Sequence, residues 1–320
     1  MTTIAAPAIP KVAAVPRKGL AGMALVLLFW SFGPALSKRV GTPPLVTVFY
    51  RMWLAAIFHW ALALALQRAP DWATLKRTAL PGALFAGNIV AFFYALHHAS
   101  VANVTLISSL QPVVVLFVAG PLFGEKLKRW DVGWTIVALV GAVVAVLGSN
   151  TSHNSKTHTT TFGVVLSMVS LMTFTGYFFL SKRASAAGAR QQALHPITYM
   201  AGVLTASAIV VTPISLIGSK SGQMTDIHPR DVVWILLVVA VPSAGHLLMS
   251  WTHRYVPVSV SSLALLIQPV SAALAAWAIN HQPVVVAQAV GAAIVITALA
   301  AVVSRRQAAA PVAAPVSARA

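Results

Sequence analysis

Cysteine is absent from the 320 residues, and only five residues are acidic. The first absence removes disulfide frameworks, thiolate metal sites and cysteine nucleophiles together. The second bears on mechanism, because Asp71, Glu125, Asp131, Asp226 and Asp231 all fall in loops or at the ends of apolar runs. No carboxylate stands at mid-run to relay protons, which leaves histidines such as His59, His97 or His246 as the titratable groups for any proton coupling. Charge of either sign is scarce: 8% of residues are charged, where soluble domains average about 25%. Also missing are the H-E-x-x-H, P-loop and G-x-S-x-G patterns, so neither an enzyme nor a cofactor is expected.

What is present is oil. Apolar residues make up 58% of the chain, and a helix crossing the hydrocarbon core needs about 20 of them in a row. Ten such runs occur, over 19–37, 44–66, 79–97, 103–123, 131–148, 162–181, 195–217, 231–250, 258–279 and 283–303. They are continuous rather than alternating, which excludes a strand barrel. The net charge of +17 would indicate nucleic acid if it lay on one soluble face. Instead Lys and Arg sit in short loops between the runs, so the expected partners are the lipid bilayer and a small-molecule substrate, with no nucleic acid. Arg17-Lys18 followed by an apolar run is superficially a signal peptide, yet the run continues to Pro34 without an A-x-A site. It predicts an uncleaved first helix.

The loops set an orientation. With the N-terminus in the cytoplasm, only Lys38, Arg39, Lys156, Lys220 and Arg230 fall outside, and every other loop or tail Lys and Arg falls inside. That positive-inside bias predicts a multi-pass protein of the cell membrane with both termini cytoplasmic. Arg51 alone among the cations lies within a run.

One stretch occurs twice. Thr105-Leu-Ile-Ser108-Ser109-Leu-Gln111-Pro112-Val113 is echoed 157 residues later by Ser262-Leu-Ala-Leu-Leu-Ile-Gln268-Pro269-Val270. Gln111 falls in the fourth run and Gln268 in the ninth. Five spans is an odd number, so the two halves run in opposite directions through the membrane. Their following loops agree: Gly124 to Arg129 is basic, whereas Asn280-His-Gln282-Pro283 has no Lys or Arg. The prediction is an all-α membrane protein of ten transmembrane helices arranged as two inverted five-helix repeats. Such repeats are common in secondary transporters, which hold substrate near the midplane between them.

These features resemble the drug/metabolite transporter superfamily, in its EamA branch of ten-helix permeases. The resemblance rests on the 5+5 arrangement, on Arg51 in Phe49-Tyr-Arg-Met-Trp-Leu-Ala-Ala56, and on Gln111-Pro112 followed by Phe123-Gly124-Glu125. Gln268-Pro269 and Gly291-Ala-Ala complete it in the second half. An acidic residue is common in the family where this chain has Gln282. The resemblance implies EamA-like repeats over 18–148 and 162–304; the Ala- and Pro-rich tails over 1–17 and 305–320 read as disordered, because neither buries enough apolar surface to offset its chain entropy, and the polar stretch 149–161 reads as an external linker. The resemblance also implies export or exchange of amino acids or other small metabolites.

Gln111 and Gln268 lead the candidate substrate-binding residues, because a Gln in hydrocarbon must be hydrogen-bonded. The proline after each removes the bond to the carbonyl four residues earlier, that of Ser108 or Leu265. The alternative is that both amides tie helices together. Arg51 presents a fork suited to a substrate carboxylate or phosphate, or else snorkels to the interface. Ser108 shares the Gln111 face, although such hydroxyls often bond back to their own helix. Trp30, Tyr94, Tyr177 and Trp251 are candidate cavity walls or interface aromatics. Tyr94 and Trp251 correspond by the 157-residue offset, while Asn88 and His246 mark polar interruptions of their spans. The expected function is a secondary transporter, exporting or exchanging a small polar or amphipathic metabolite such as an amino acid by alternating access. A lipid-linked substrate flippase of the same fold and a non-transporting membrane scaffold stay open as alternatives.

Overall fold

A run of apolar residues in lipid has no water to satisfy its backbone, so it must form its own hydrogen bonds, and helices follow. The computed structural model describes residues 15–37, 39–99, 104, 107–123, 128–150, 160–185, 193–220, 222–280 and 286–308. Residues 1–14, 151–159 and 309–320 fall outside the described residues, as do Thr105, Glu125 and Gln282 and the side chain of His97. Among the described residues there is helix and turn, and no strand.

The helices are α1 (Arg17–Ser37), α2 (Pro44–Ala65), α3 (Trp72–His98), α4 (Gln111–Phe123), α5 (Arg129–Asn150) and α6 (Thr161–Ser185). They continue with α7 (Pro196–Gly218), α8 (Pro229–Thr252), α9 (Val258–Ala264), α10 (Gln268–Asn280) and α11 (Val286–Ala308). A 3-10 turn over Leu265–Ile267 joins α9 to α10. Proline opens α2, α7 and α8 at the first helical position, where its missing N–H costs nothing. The start of α3 lies seven residues ahead of the apolar run expected from residue 79. Hydropathy misses the first two turns, which carry Thr74, Lys76, Arg77 and Thr78, although the Asp71 carboxylate caps the helix by accepting the Thr74 N–H at 2.8 Å.

Among the described residues, seven stretches are long and apolar enough to cross a membrane: Arg17–Ser37, Pro44–Ala65, Trp72–Ala95, Thr161–Ser185, Pro196–Gly218, Pro229–Thr252 and the interrupted Val258–Ile279. Their surfaces are inverted relative to a soluble protein. Phe58, Leu64, Ile136, Val140, Met172, Leu236 and Ile296 point outward from five helices, while Arg51, His59, Gln111 and His246 are buried. An apolar exterior this extensive requires lipid to cover it. The protein is a multi-pass membrane protein.

Helices from the first half of the chain pack on helices from the second. α1 lies against α8 and α10, α2 against α7, α3 against α6 and α7, and α5 against α11. Lipid gives helices no hydrophobic reason to associate, so close approach through small residues takes over. Gly82 on α3 shows the tolerance: a methyl there would stand 2.5 Å from the Ala206 Cβ and 2.6 Å from the Val203 carbonyl oxygen on α7. The closeness lets Ser207 Oγ donate to the Gly82 carbonyl at 2.8 Å. This packing brings α1, α2, α3, α6 and α8 around a common centre.

Candidate functional site

Both Gln-Pro pairs interrupt their helices. Ser109 and Leu110 form a turn immediately before α4 begins at Gln111, and the 3-10 turn Leu265–Ile267 immediately precedes Gln268. Proline's missing N–H explains why the break comes at the same place twice. The freed carbonyls fare differently from the sequence expectation, since the Leu265 carbonyl is recaptured by the Gln268 N–H in the tighter turn. Gln111 is 3% exposed and its amide Nε2 finds no hydrogen-bond partner. Gln268 is only half-buried. Ser108 donates back to the Val104 carbonyl at 2.9 Å, as hydroxyls on helices commonly do.

The densest chemistry lies around His246 on α8. Its ring sits 4.6 Å from Trp30 of α1, 4.7 Å from Phe85 of α3 and 6.1 Å from Tyr177 of α6, centroid to centroid. Phe174 closes the box, 6.0 Å from Trp30 and 6.1 Å from Tyr177. From α2, Arg51 and His59 both lie within electrostatic range of His246. They sit on one helical stripe with Ala55, whose carbonyl bonds His59 Nδ1 at 2.8 Å. The neighbour of His246, Gly245, is what admits the indole: a methyl there would come 2.5 Å from Trp30 Cδ1.

Several buried polar atoms in this centre have no partner. They are Trp30 Nε1, Arg51 Nε, His59 Nε2 and His246 Nδ1, supplied by three helices. Buried polar atoms are almost always hydrogen-bonded, because leaving one bare costs about 1–3 kcal/mol. The concentration of bare ones around His246 makes this the candidate site. The Gln-Pro segments border it. Val115, one turn beyond Gln111, packs in the same apolar group as Trp30, Leu265, Phe174 and Ile267.

Of the residues singled out from sequence, Trp30, Arg51, Tyr177 and His246 are brought together. Asn88 is not among them, since its amide donates to the Ser170 carbonyl at 3.2 Å and to Ser170 Oγ at 2.9 Å, fastening α3 to α6. Tyr94 and Trp251 do not meet either. Tyr94 Oη lies beside Gly218 at one end of the bundle, and Trp251 packs on Gly22 and Tyr255 at the other. Phe85 and Phe174, missed by sequence reasoning, carry no signal that separates them from other ring residues in apolar runs. His59 was visible only as a titratable group. A surface depression of about 400 Å3 along α5, lined by Arg129, Trp130, Gly133, Trp134 and Val137, shares no residue with this centre. Among the described residues, no three His, Asp or Glu side chains are placed to hold a metal ion.

Comparison with known proteins agrees with this architecture. A crystal structure titled only "Crystal structure of protein" superposes with a TM-score of 0.70, over 90% of this chain and 97% of that chain, at 18% identity. At that identity the likeness concerns the fold alone. The comparison with curated proteins found no match. The model of the EamA-like transporter family matches residues 17–147 and again residues 161–304. Matched twice over most of its length, this chain belongs to the EamA-like transporter family and is a membrane transporter.

Proposed function

We propose that the protein moves a small polar or amphipathic metabolite across the plasma membrane, as an exporter or exchanger working by alternating access. The observation that carries this reading is the set of unpartnered polar atoms around His246, enclosed by the rings of Trp30, Phe85, Phe174 and Tyr177. A scaffold has no use for buried, unsatisfied donors at its centre, whereas a carrier needs them to replace the hydration of its solute. Arg51, Trp30, Tyr177 and His246 would hold the solute, with Gln111 at the border and Gln268 and Ser108 on the broken helices beside it.

Inverted five-helix repeats would supply the motion. The contact of α1 with α8 has its counterpart in that of α3 with α6, which is what two halves related by an in-plane axis would produce. The loop charges favour cytoplasmic termini. The two broken helices give each half a flexible point near the centre.

The test is solute counterflow in proteoliposomes against a panel of amino acids, nucleosides, organic acids and sugar phosphates. Uptake of one class, abolished by His246→Ala and by Trp30→Ala in folded protein, supports the reading. Normally folded protein that carries none of them, under any gradient, contradicts it.

A further inference from the structure

The centre contains a permanent cation that no carboxylate among the described residues balances. Arg51 is the eighth residue of α2, about 10 Å along the helix at 1.5 Å per residue, and only 8% exposed. Its Nε has no hydrogen-bond partner, and no carboxylate pairs with it among the described residues. Nor does the sequence hold one nearby in the chain: the acidic residue next after it is Asp71, capping α3. Asp231 is engaged elsewhere, accepting from the Gly41 N–H at 3.2 Å and from Thr42 Oγ1 at 2.8 Å. A buried charge without a partner is among the costliest arrangements a protein can hold, and an intramembrane one is by default a functional feature.

We infer that the transported solute is a singly charged organic acid whose carboxylate docks on the Arg51 guanidinium, with its apolar body against the rings of Trp30, Phe85 and Tyr177. This rests on the transporter reading above and narrows its substrate class. One guanidinium balances one negative charge in planar, bidentate fashion. A phosphate monoester, carrying roughly −1.5 to −2 at neutral pH, would leave charge uncompensated. A zwitterionic amino acid would bring an ammonium, and among the described residues no carboxylate stands beside His246 to receive it.

Thermal unfolding of the purified full-length protein tests this with four probes sharing one aromatic body: 3-phenylpropanoate, 3-phenylpropanamide, phenylalanine and phenyl phosphate. The expected result is stabilisation by 3-phenylpropanoate alone, with its apparent Kd weakened about 10- to 100-fold in Arg51→Gln, the range of a lost charged hydrogen bond, and less so in Arg51→Lys. A second readout needs no ligand. If the cation is unbalanced in the empty protein, Arg51→Met should raise the thermal midpoint. A lowered midpoint would mean that Arg51 is already satisfied by the fold, and would overturn the inference. Equal stabilisation by acid and amide, or by phenylalanine or phenyl phosphate, would overturn it too. Arg51-dependent binding of 3-phenylpropanoate without its counterflow would instead sink the transporter reading and leave the anion site standing. Counterflow of a neutral solute that is unaffected by Arg51→Gln would do the reverse.

Discussion

The ends of the bundle and its middle differ in how they hold their polar groups. At one end Asp231 clasps Gly41 and Thr42, Tyr50 Oη donates to the Met224 carbonyl at 2.7 Å, and the Arg39 guanidinium donates to the Ile279 carbonyl. At the other, Lys182 donates to the carbonyls of His253 and Val256, Thr198 Oγ1 to the Arg68 carbonyl, and Arg254 to the Leu194 carbonyl. In the middle, Trp30, Arg51, His59 and His246 each present a buried atom with no partner. Buried atoms without a partner also occur nearer the ends, at His195, Ser219 and His253, whereas in the middle such atoms from three helices gather around the His246 ring. A bundle evolved only for stability would place its polar groups the other way, wet at the ends and absent from the core.

That contrast can be broken by experiment, and the largest effect should come from the middle. Replacing His246 with Ala should reduce transport about tenfold or more, as for a central binding contact, and should lower the thermal midpoint only through the lost ring packing, since no hydrogen bond to its Nδ1 is lost. Gly245→Ala should act on the same wall by expelling the Trp30 indole, at an overpacking cost of about 1–3 kcal/mol. Flux assays beside thermal unfolding separate the two effects. Asn88→Ala should behave in the opposite sense. It leaves Ser170 without its donor and should cost about 1–3 kcal/mol, with flux per folded molecule unchanged. Loss of flux at wild-type stability would move Asn88 into the site.

Smaller effects belong to the ends. Asp231→Ala removes an accepted pair of bonds at a half-exposed position and should cost about 1 kcal/mol, seen best as faster opening of that mouth. Asp71 should matter least. Hydrogen bonds from the Thr74 side chain and backbone hold its carboxyl below the ordinary carboxylate value. A lowered folded-state pKa means that this cap stabilises above the unfolded value and fades as pH falls through the folded one. Wild type and Asp71→Ala should therefore converge in thermal midpoint on acidification, and a gap that persists at low pH would show that the carboxylate is not what caps α3.

Much of this was legible in the letters, for stated physical reasons. Apolar length revealed that the chain crosses the membrane several times, though the described residues show seven spanning stretches against the ten expected, and Pro112 and Pro269 revealed where two helices break. Charge composition exposed Arg51 as the odd cation, and Trp30, Tyr177 and His246 stood out as polar-edged side chains in oil. What the letters do not carry is long-range geometry. The 157-residue offset paired Tyr94 with Trp251, but the two rings lie at opposite ends of the bundle. Asn88 looked like a cavity group until Ser170, 82 residues away, took its amide. Leu265 looked like a free carbonyl until a local 3-10 turn reclaimed it. Phe85 and Phe174 have no polar atom to betray them, so only packing around His246 identifies them.

The absence of cysteine makes the central claim directly measurable. A single His246→Cys substitution, in a chain with no other thiol, can be probed with a membrane-impermeant thiol reagent applied to one face of the membrane at a time. Alternating access to the centre predicts slow labelling from each face, and protection by transported solute from both. Labelling from neither face, in a protein whose end positions label normally, would contradict it and leave the unpartnered atoms of the middle without a function.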